Sequence, residues 1–197
     1  MIWAISKMVE TSVTLLHFTD VYHLAARRRR EPVGGAARLH TLLKSFPDAL
    51  ILFSGDALSP SLESQTTQGG HMVDALNKLA VDAAVLGNHE FDFGLENLEE
   101  QVSRSSFPWL LSNVSLGETG APPPGVLRHH VLERGGRRIG LMGLVGDWMW
   151  KQVSSLESFP CPTNSSPGGR KTAQLHLQRP CGGRQPTGRL PQRRGTL

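Results

Sequence analysis

An α/β fold built on a parallel sheet is predicted for residues 1–150, and three observations predict it. Apolar runs of strand length alternate with stretches of helical periodicity. Each run ends in a turn, and successive turns carry acidic, amide or imidazole side chains. In open α/β sheets the loops at the carboxyl ends of the strands are where ligands bind, because the strands hold them rigidly and leave their polar groups free.

The first strand is Val13-Thr14-Leu15-Leu16, followed by His17-Phe18-Thr19-Asp20-Val21-Tyr22-His23. Arg27 to Arg30 then form a charge run, which reads first as a solvated loop and second as a positive rim for phosphate-bearing substrates. Beyond Gly34-Gly35, the residues Ala36, Ala37, Leu39, Leu42, Leu43 and Phe46 are read as one helical face. The second strand, Ala49 to Phe53, ends in Ser54-Gly55-Asp56. A polar loop from Ser59 to Gly70 leads to a helix marked by Met72, Val73, Leu76 and Leu79, with His71 and Glu63 exposed.

The third strand, Ala83 to Leu86, runs into Gly87-Asn88-His89-Glu90-Phe91-Asp92, the densest polar motif of the chain. Leu95, Leu98 and Val102 define the next helix, and Pro108 to Leu111 the next strand, ending at Ser112-Asn113. After a proline-rich loop, Val126–Leu132 and Arg137–Val145 flank Arg134-Gly135-Gly136 as a hairpin. His129 and His130 then face opposite sides of their strand, which argues against a metal shared between them.

The residue types at the three strand ends define a chemistry. An amide oxygen such as that of Asn88 ligates hard cations, a neutral imidazole such as His89 moves protons, and a carboxylate three residues on, Asp92, fixes the imidazole's tautomer. Asp20 and Asp56 supply carboxylates from the two preceding strand ends.

The order Asp20…His23, Gly55-Asp56, Gly87-Asn88-His89-Glu90 resembles the calcineurin-like metallophosphoesterases. The phrases Phe53 to Ala57 and Gly87 to Gly94 are similar to the 5′-nucleotidase and UDP-sugar hydrolase branch, over roughly residues 11–145. The resemblance implies an αββα sandwich and a two-metal phosphoric monoester hydrolase. It implies Asp20 on the first metal, joined by His23 if the first motif bulges, Asp56 bridging both metals, and Asn88 on the second. It further implies His89 protonating the departing oxygen with Asp92 orienting its ring, and a phosphomonoester or nucleotide substrate. The metals would be Mn, Zn, Mg or Fe.

Two departures qualify the expectation. The family's first motif is normally Asp-x-His, whereas Tyr22 stands two residues after Asp20 and His23 three. The family's later His and Gly-His-x-His motifs are not found after Asp92, so the domain reads as the N-terminal part of a truncated fold.

Composition changes near Trp150. Eight of the 21 Lys and Arg residues and one of the 17 acidic residues lie in 151–197, so this tail carries +7 and residues 1–150 carry −3. Rich in Pro, Gly and Arg and without apolar periodicity, it is predicted to be disordered. Its arginines lack interleaved aromatics, so nucleic acid is not an expected partner. Cys161 and Cys181 read as free thiols. No apolar run reaches signal-peptide or membrane-span length, which predicts a cytoplasmic location and no membrane partner. The alternative to an enzyme is a non-catalytic fragment acting as an interaction or regulatory module.

Overall fold

The computed structural model describes residues 12–27, 33–116 and 120–146, with short strands at 159–160, 172–173 and 175–177. Four parallel strands form the main sheet in chain order: β1 (Leu15–Phe18), β2 (Leu50–Phe53), β3 (Ala83–Val85) and β4 (Trp109–Leu110). Parallel neighbours need crossovers, and helices supply them. They are α1 (Ala36–Lys44), the single turn α2 (Ser64–Thr67), α3 (Gly70–Lys78) and α4 (Gly94–Arg104).

Register explains how the sheet meets its helices. Phe18 pairs with Phe53, Phe53 with Ala84, and Ala84 with Trp109, so the four side chains form one row on one face. The small Ala84 lets its larger neighbours converge: ring centroids of Phe53 and Trp109 are 6.3 Å apart, those of Phe18 and Phe53 5.1 Å. Leu43, Met72, Val73, Leu76 and Leu98 from the helices close over this row in a single core cluster. Trp109 keeps its indole N–H satisfied by donating to Ser105 Oγ at 2.8 Å. Leu50, Ala83 and Leu110 alternate to the opposite face and are also buried.

The hairpin follows as β6 (His129–Arg134) and β7 (Arg137–Met142), numbered after β5 (Val114–Leu116). Gly135 and Gly136 make its two-residue turn with φ of 58° and 71°, values that glycine adopts without strain. Arg134 reaches Asp82 at the start of β3, and Asp82 also accepts from the Ile51 backbone N–H. Ser112 N–H donates to Gly143 O at 2.7 Å, so the hairpin is tied to the sheet at both ends.

Several local expectations shift. The first strand starts two residues later than periodicity suggests and extends to Phe18, placing His17 inside it with Nε2 2.7 Å from Ser54 Oγ. The polar stretch 59–70 contains α2, a turn built by the hydroxyls of Ser61, Ser64, Thr66 and Thr67 bonding to nearby backbone. The run 108–113 is cut after Leu110, and β5 begins at Val114 in a separate antiparallel pair with β10 (Leu175–Leu177). β8 (Phe159–Pro160) and β9 (Thr172–Ala173) also pair within the span read as tail. The rest of that span, Cys161, Cys181 and Arg28 to Arg30 lie outside the described residues. No helix among the described residues is long and apolar enough to cross a membrane.

Candidate functional site

The loops after β1, β2 and β3 meet at one end of the sheet, as parallel strands in adjacent register require. Asp20 N–H donates to Gly55 O at 3.1 Å, joining the first loop to the second. A Cβ on Gly55 would lie 2.5 Å from Gly87 N and 2.8 Å from Val85 O, so the second loop meets the third backbone to backbone, and Gly55 sits at φ 85°. Only glycine fits that contact.

Glu90 locks the junction. It is fully buried, and its carboxylate accepts from Asp56 N–H at 2.8 Å, Ala57 N–H at 2.7 Å, Leu58 N–H at 3.3 Å and Gly87 N–H at 2.7 Å. Four backbone donors from two loops thus share one side chain. Burial pushes the Glu90 carboxyl upward from its ordinary range, while the N–H donors of Ala57, Asp56 and Gly87 pull it back. The sequence signal for this role is a carboxylate inside a loop flanked by apolar strands, where burial demands partners.

Asp56 stands on this junction with φ 64°, and Asp20 with φ 56°. Both are aspartates in the left-handed region, a conformation that costs energy and concentrates at functional sites. Asp56 is buried, and its Oδ1 accepts the His89 backbone N–H at 3.0 Å. Burial is the largest cause holding its carboxyl above the usual range, opposed by that hydrogen bond and reinforced by the negative charges of Asp20 and Asp92. Even a Cβ on Gly87 would overlap Asp56 Oδ1, so the carboxylate is closely confined.

Asn88 is buried and opens a 3₁₀ turn over His89–Phe91. That turn puts residues three apart on one edge. Accordingly His89 Nδ1 lies 2.7 Å from Asp92 Oδ2, which accepts the Nδ1 proton and leaves Nε2 as the outward nitrogen. Across from the imidazole stands Tyr22, with ring centroids 5.7 Å apart and planes at 87°. Tyr22 OH donates to Asp20 Oδ1 at 2.8 Å, and Thr19 Oγ1 donates to Asp20 Oδ2 at 2.9 Å. Burial first, then the bond to Asp20, pushes the phenol well above its ordinary range and keeps it protonated.

The structure therefore brings together Asp20, Asp56, Asn88, His89 and Asp92, with Tyr22 among them. His23 is exposed and lines a cavity of about 680 Å³ with Asp20, Tyr22, Arg27 and Arg38, on the α1 side of the loop. Sequence reading misses Tyr22 as a neighbour of His89 because their contact crosses from the first loop to the third. Among the described residues no group of three or more His, Cys, Asp or Glu side chains is arranged to hold a metal ion. The donors present are nevertheless of the right kind for a hard dication: Asp56 and Asp20 repel each other, and a cation between them and the Asn88 amide would offset that charge.

Comparison with known proteins shows the family and the fold. The family model for calcineurin-like phosphoesterases matches residues 13–179, and the chain belongs to that family. It is 33% identical over 165 residues to a probable 5′-nucleotidase of Treponema pallidum, covering 76% of this chain and 27% of that protein. It is 31% identical over 158 residues to the 5′-nucleotidase of Rattus norvegicus, covering 72% and 27%. The chain thus spans about a quarter of the length of these relatives. Its fold resembles a solved 5′-nucleotidase precursor from Thermus thermophilus, with a TM-score of 0.62, 28% identity, and coverage of 67% of this chain and 28% of that one. A calcineurin-like phosphoesterase from Bacillus subtilis, 21% identical with a TM-score of 0.61 over 74% and 52%, shares the fold. The expected metallophosphoesterase-type α/β architecture is thereby shown.

Proposed function

We propose that this chain carries the metal-binding and proton-donating half of a phosphoric monoester hydrolase of 5′-nucleotidase type, with a nucleotide or related phosphomonoester as substrate. The observation that carries the reading is the Asp56 junction: a buried carboxylate in a left-handed conformation, held by Glu90's grip on its own N–H and confined by Gly87 and the His89 backbone. A fold does not keep a buried, strained carboxylate beside two others without a use for its charge.

Asp20 and Asp56 would hold one divalent cation, and Asp56 and Asn88 a second. His23, exposed on the α1 side of the first loop, would join the Asp20 cation only if that loop bulged to turn it inward. Bound divalent ions supply positive charge to the phosphoryl oxygens and lower the pKa of water. The chain's own contribution is proton control. With Nδ1 committed to Asp92, His89 presents Nε2 to the departing oxygen, and Asp92 stabilises the imidazolium that can donate there. The buried Glu90 takes no part in proton transfer, since both its oxygens accept backbone N–H groups.

One observation favours a second reading, that of a non-catalytic interaction or regulatory module: among the described residues no group of three or more His, Cys, Asp or Glu side chains is arranged to hold a metal ion. The two readings part in a phosphatase assay. Hydrolysis of nucleoside monophosphates that needs added Mn²⁺ or Mg²⁺, stops with a chelator and falls about 100-fold or more in His89→Asn supports the enzyme. Full activity in chelator, or in that variant, contradicts it.

A further inference from the structure

We infer that Tyr22 is a positioning residue for His89, its ring limiting the swing of the imidazole and its hydroxyl anchoring that ring on Asp20. The inference rests on the reading of His89 as the proton donor.

A single hydrogen bond does not fix an imidazole. The bond from Nδ1 to Asp92 sets the tautomer and one direction, and leaves the ring able to pivot about that bond. His89 is only partly covered, with about a quarter of its side chain exposed, so packing from its own loop does not stop the pivot. The perpendicular Tyr22 ring does, because an edge-to-face pair holds both rings to a preferred distance and angle. Tyr22 itself sits on a loop and needs an anchor. Its hydroxyl finds one in Asp20 Oδ1, and Asp20 is in turn fixed by Thr19 Oγ1 and by its backbone bond to Gly55 O. The result is a continuous chain of contacts, Asp20 to Tyr22 to His89 to Asp92, spanning the first and third loops.

The test compares the full chain with Tyr22→Phe and Tyr22→Leu by NMR of ¹⁵N-labelled histidine, reading the His89 imidazole directly. Asp92→Asn identifies the His89 signal. Tyr22→Leu is expected to broaden the Nδ1–H signal and mix the two tautomers. Tyr22→Phe, which keeps the ring and loses the anchor, is expected to fall between. Kinetically, kcat on an alkyl phosphomonoester should drop about 10- to 100-fold in Tyr22→Leu, as small misplacements of a reacting group do. With a nitrophenyl ester, whose leaving group departs without a proton, the drop should be smaller, and KM should hold in both cases. A His89 signal in Tyr22→Leu that matches the unaltered chain overturns the inference; a match in Tyr22→Phe overturns the anchoring role of the hydroxyl. Because the NMR readout needs no turnover, absence of any hydrolysis in the unaltered chain would count against the enzymatic reading and leave this test standing.

Discussion

Between Leu50 and Leu111 the strands of the main sheet are buried on both faces, whereas exposure alternates residue by residue along β6 and, from Arg138, along β7. The first pattern is that of parallel strands covered on both sides, the second that of an antiparallel ribbon with one face free. The consequences for polar groups differ as well. At the carboxyl end of the sheet, buried backbone donors have no neighbouring strand to serve and converge on Glu90. On the hairpin the six-pair ladder pairs the inward-pointing backbone groups of the two strands, while Val131 at 44% and Met142 at 70% exposure stand in solvent. Rigidity at the site therefore comes from one buried acidic side chain, and the hairpin contributes attachment more than order.

The largest expected effect breaks the sheet side of this contrast. Glu90→Ala leaves three or more buried N–H groups without an acceptor and should cost at least about 3 kcal/mol, read as a fall in the urea midpoint. A loss no larger than that of an exposed substitution would show that water replaces the carboxylate. Next, Gly55→Ala forces a Cβ into the backbone of Gly87 at a left-handed φ, and a loss of about 2 kcal/mol or more is expected by the same measurement. Gly87→Ala acts more locally, displacing the Asp56 side chain, so its signature should be weaker Mn²⁺ binding with a smaller change in midpoint.

A smaller effect concerns α3. His71 is only partly exposed, its Nδ1 lies 2.6 Å from Thr67 Oγ1, and its Nε2 is buried without a partner. Burial holds its pKa below 6.5, against the opposing charges of Glu63 and Asp74. The neutral form is therefore favoured by folding: its stabilising contribution is complete above about pH 6.5 and is lost as pH falls through the lowered value. Thermal unfolding at pH 7.5 and 5.5 should show a greater acid loss in the unaltered chain than in His71→Asn, and equal losses would refute the assignment. Smallest of all, Met142→Lys on the free hairpin face should shift stability by no more than about 0.5 kcal/mol.

Periodicity made the order of strands and helices legible, because apolar runs such as Leu50 to Phe53 and helical faces such as Met72, Val73 and Leu76 depend on neighbours in the chain. Strand-end placement brought Asp20, Asp56, Asn88, His89 and Asp92 to one end of the sheet on paper, and the same five meet there in the structure; their roles rest on the proposal above. What periodicity could not carry is contact across loops. Tyr22 against His89, and Glu90 beneath Asp56, join residues more than 30 positions apart. His71, expected to be exposed, is partly covered because Thr67 of α2 folds against it, and α2 itself is held by local hydroxyl bonds that leave no hydrophobic period.

The central claim is that Asp56 is held in place to bind a divalent cation. Calorimetric titration of the full chain with Mn²⁺, beside Asp56→Asn, tests it most directly, with urea midpoints to show that both are folded. The account predicts saturable binding that weakens about 100-fold or more in Asp56→Asn, as loss of a charged ligand requires, with the midpoint unchanged or raised because a buried charge has been removed. Equal Mn²⁺ affinity in the two proteins, or no binding in either, would contradict it.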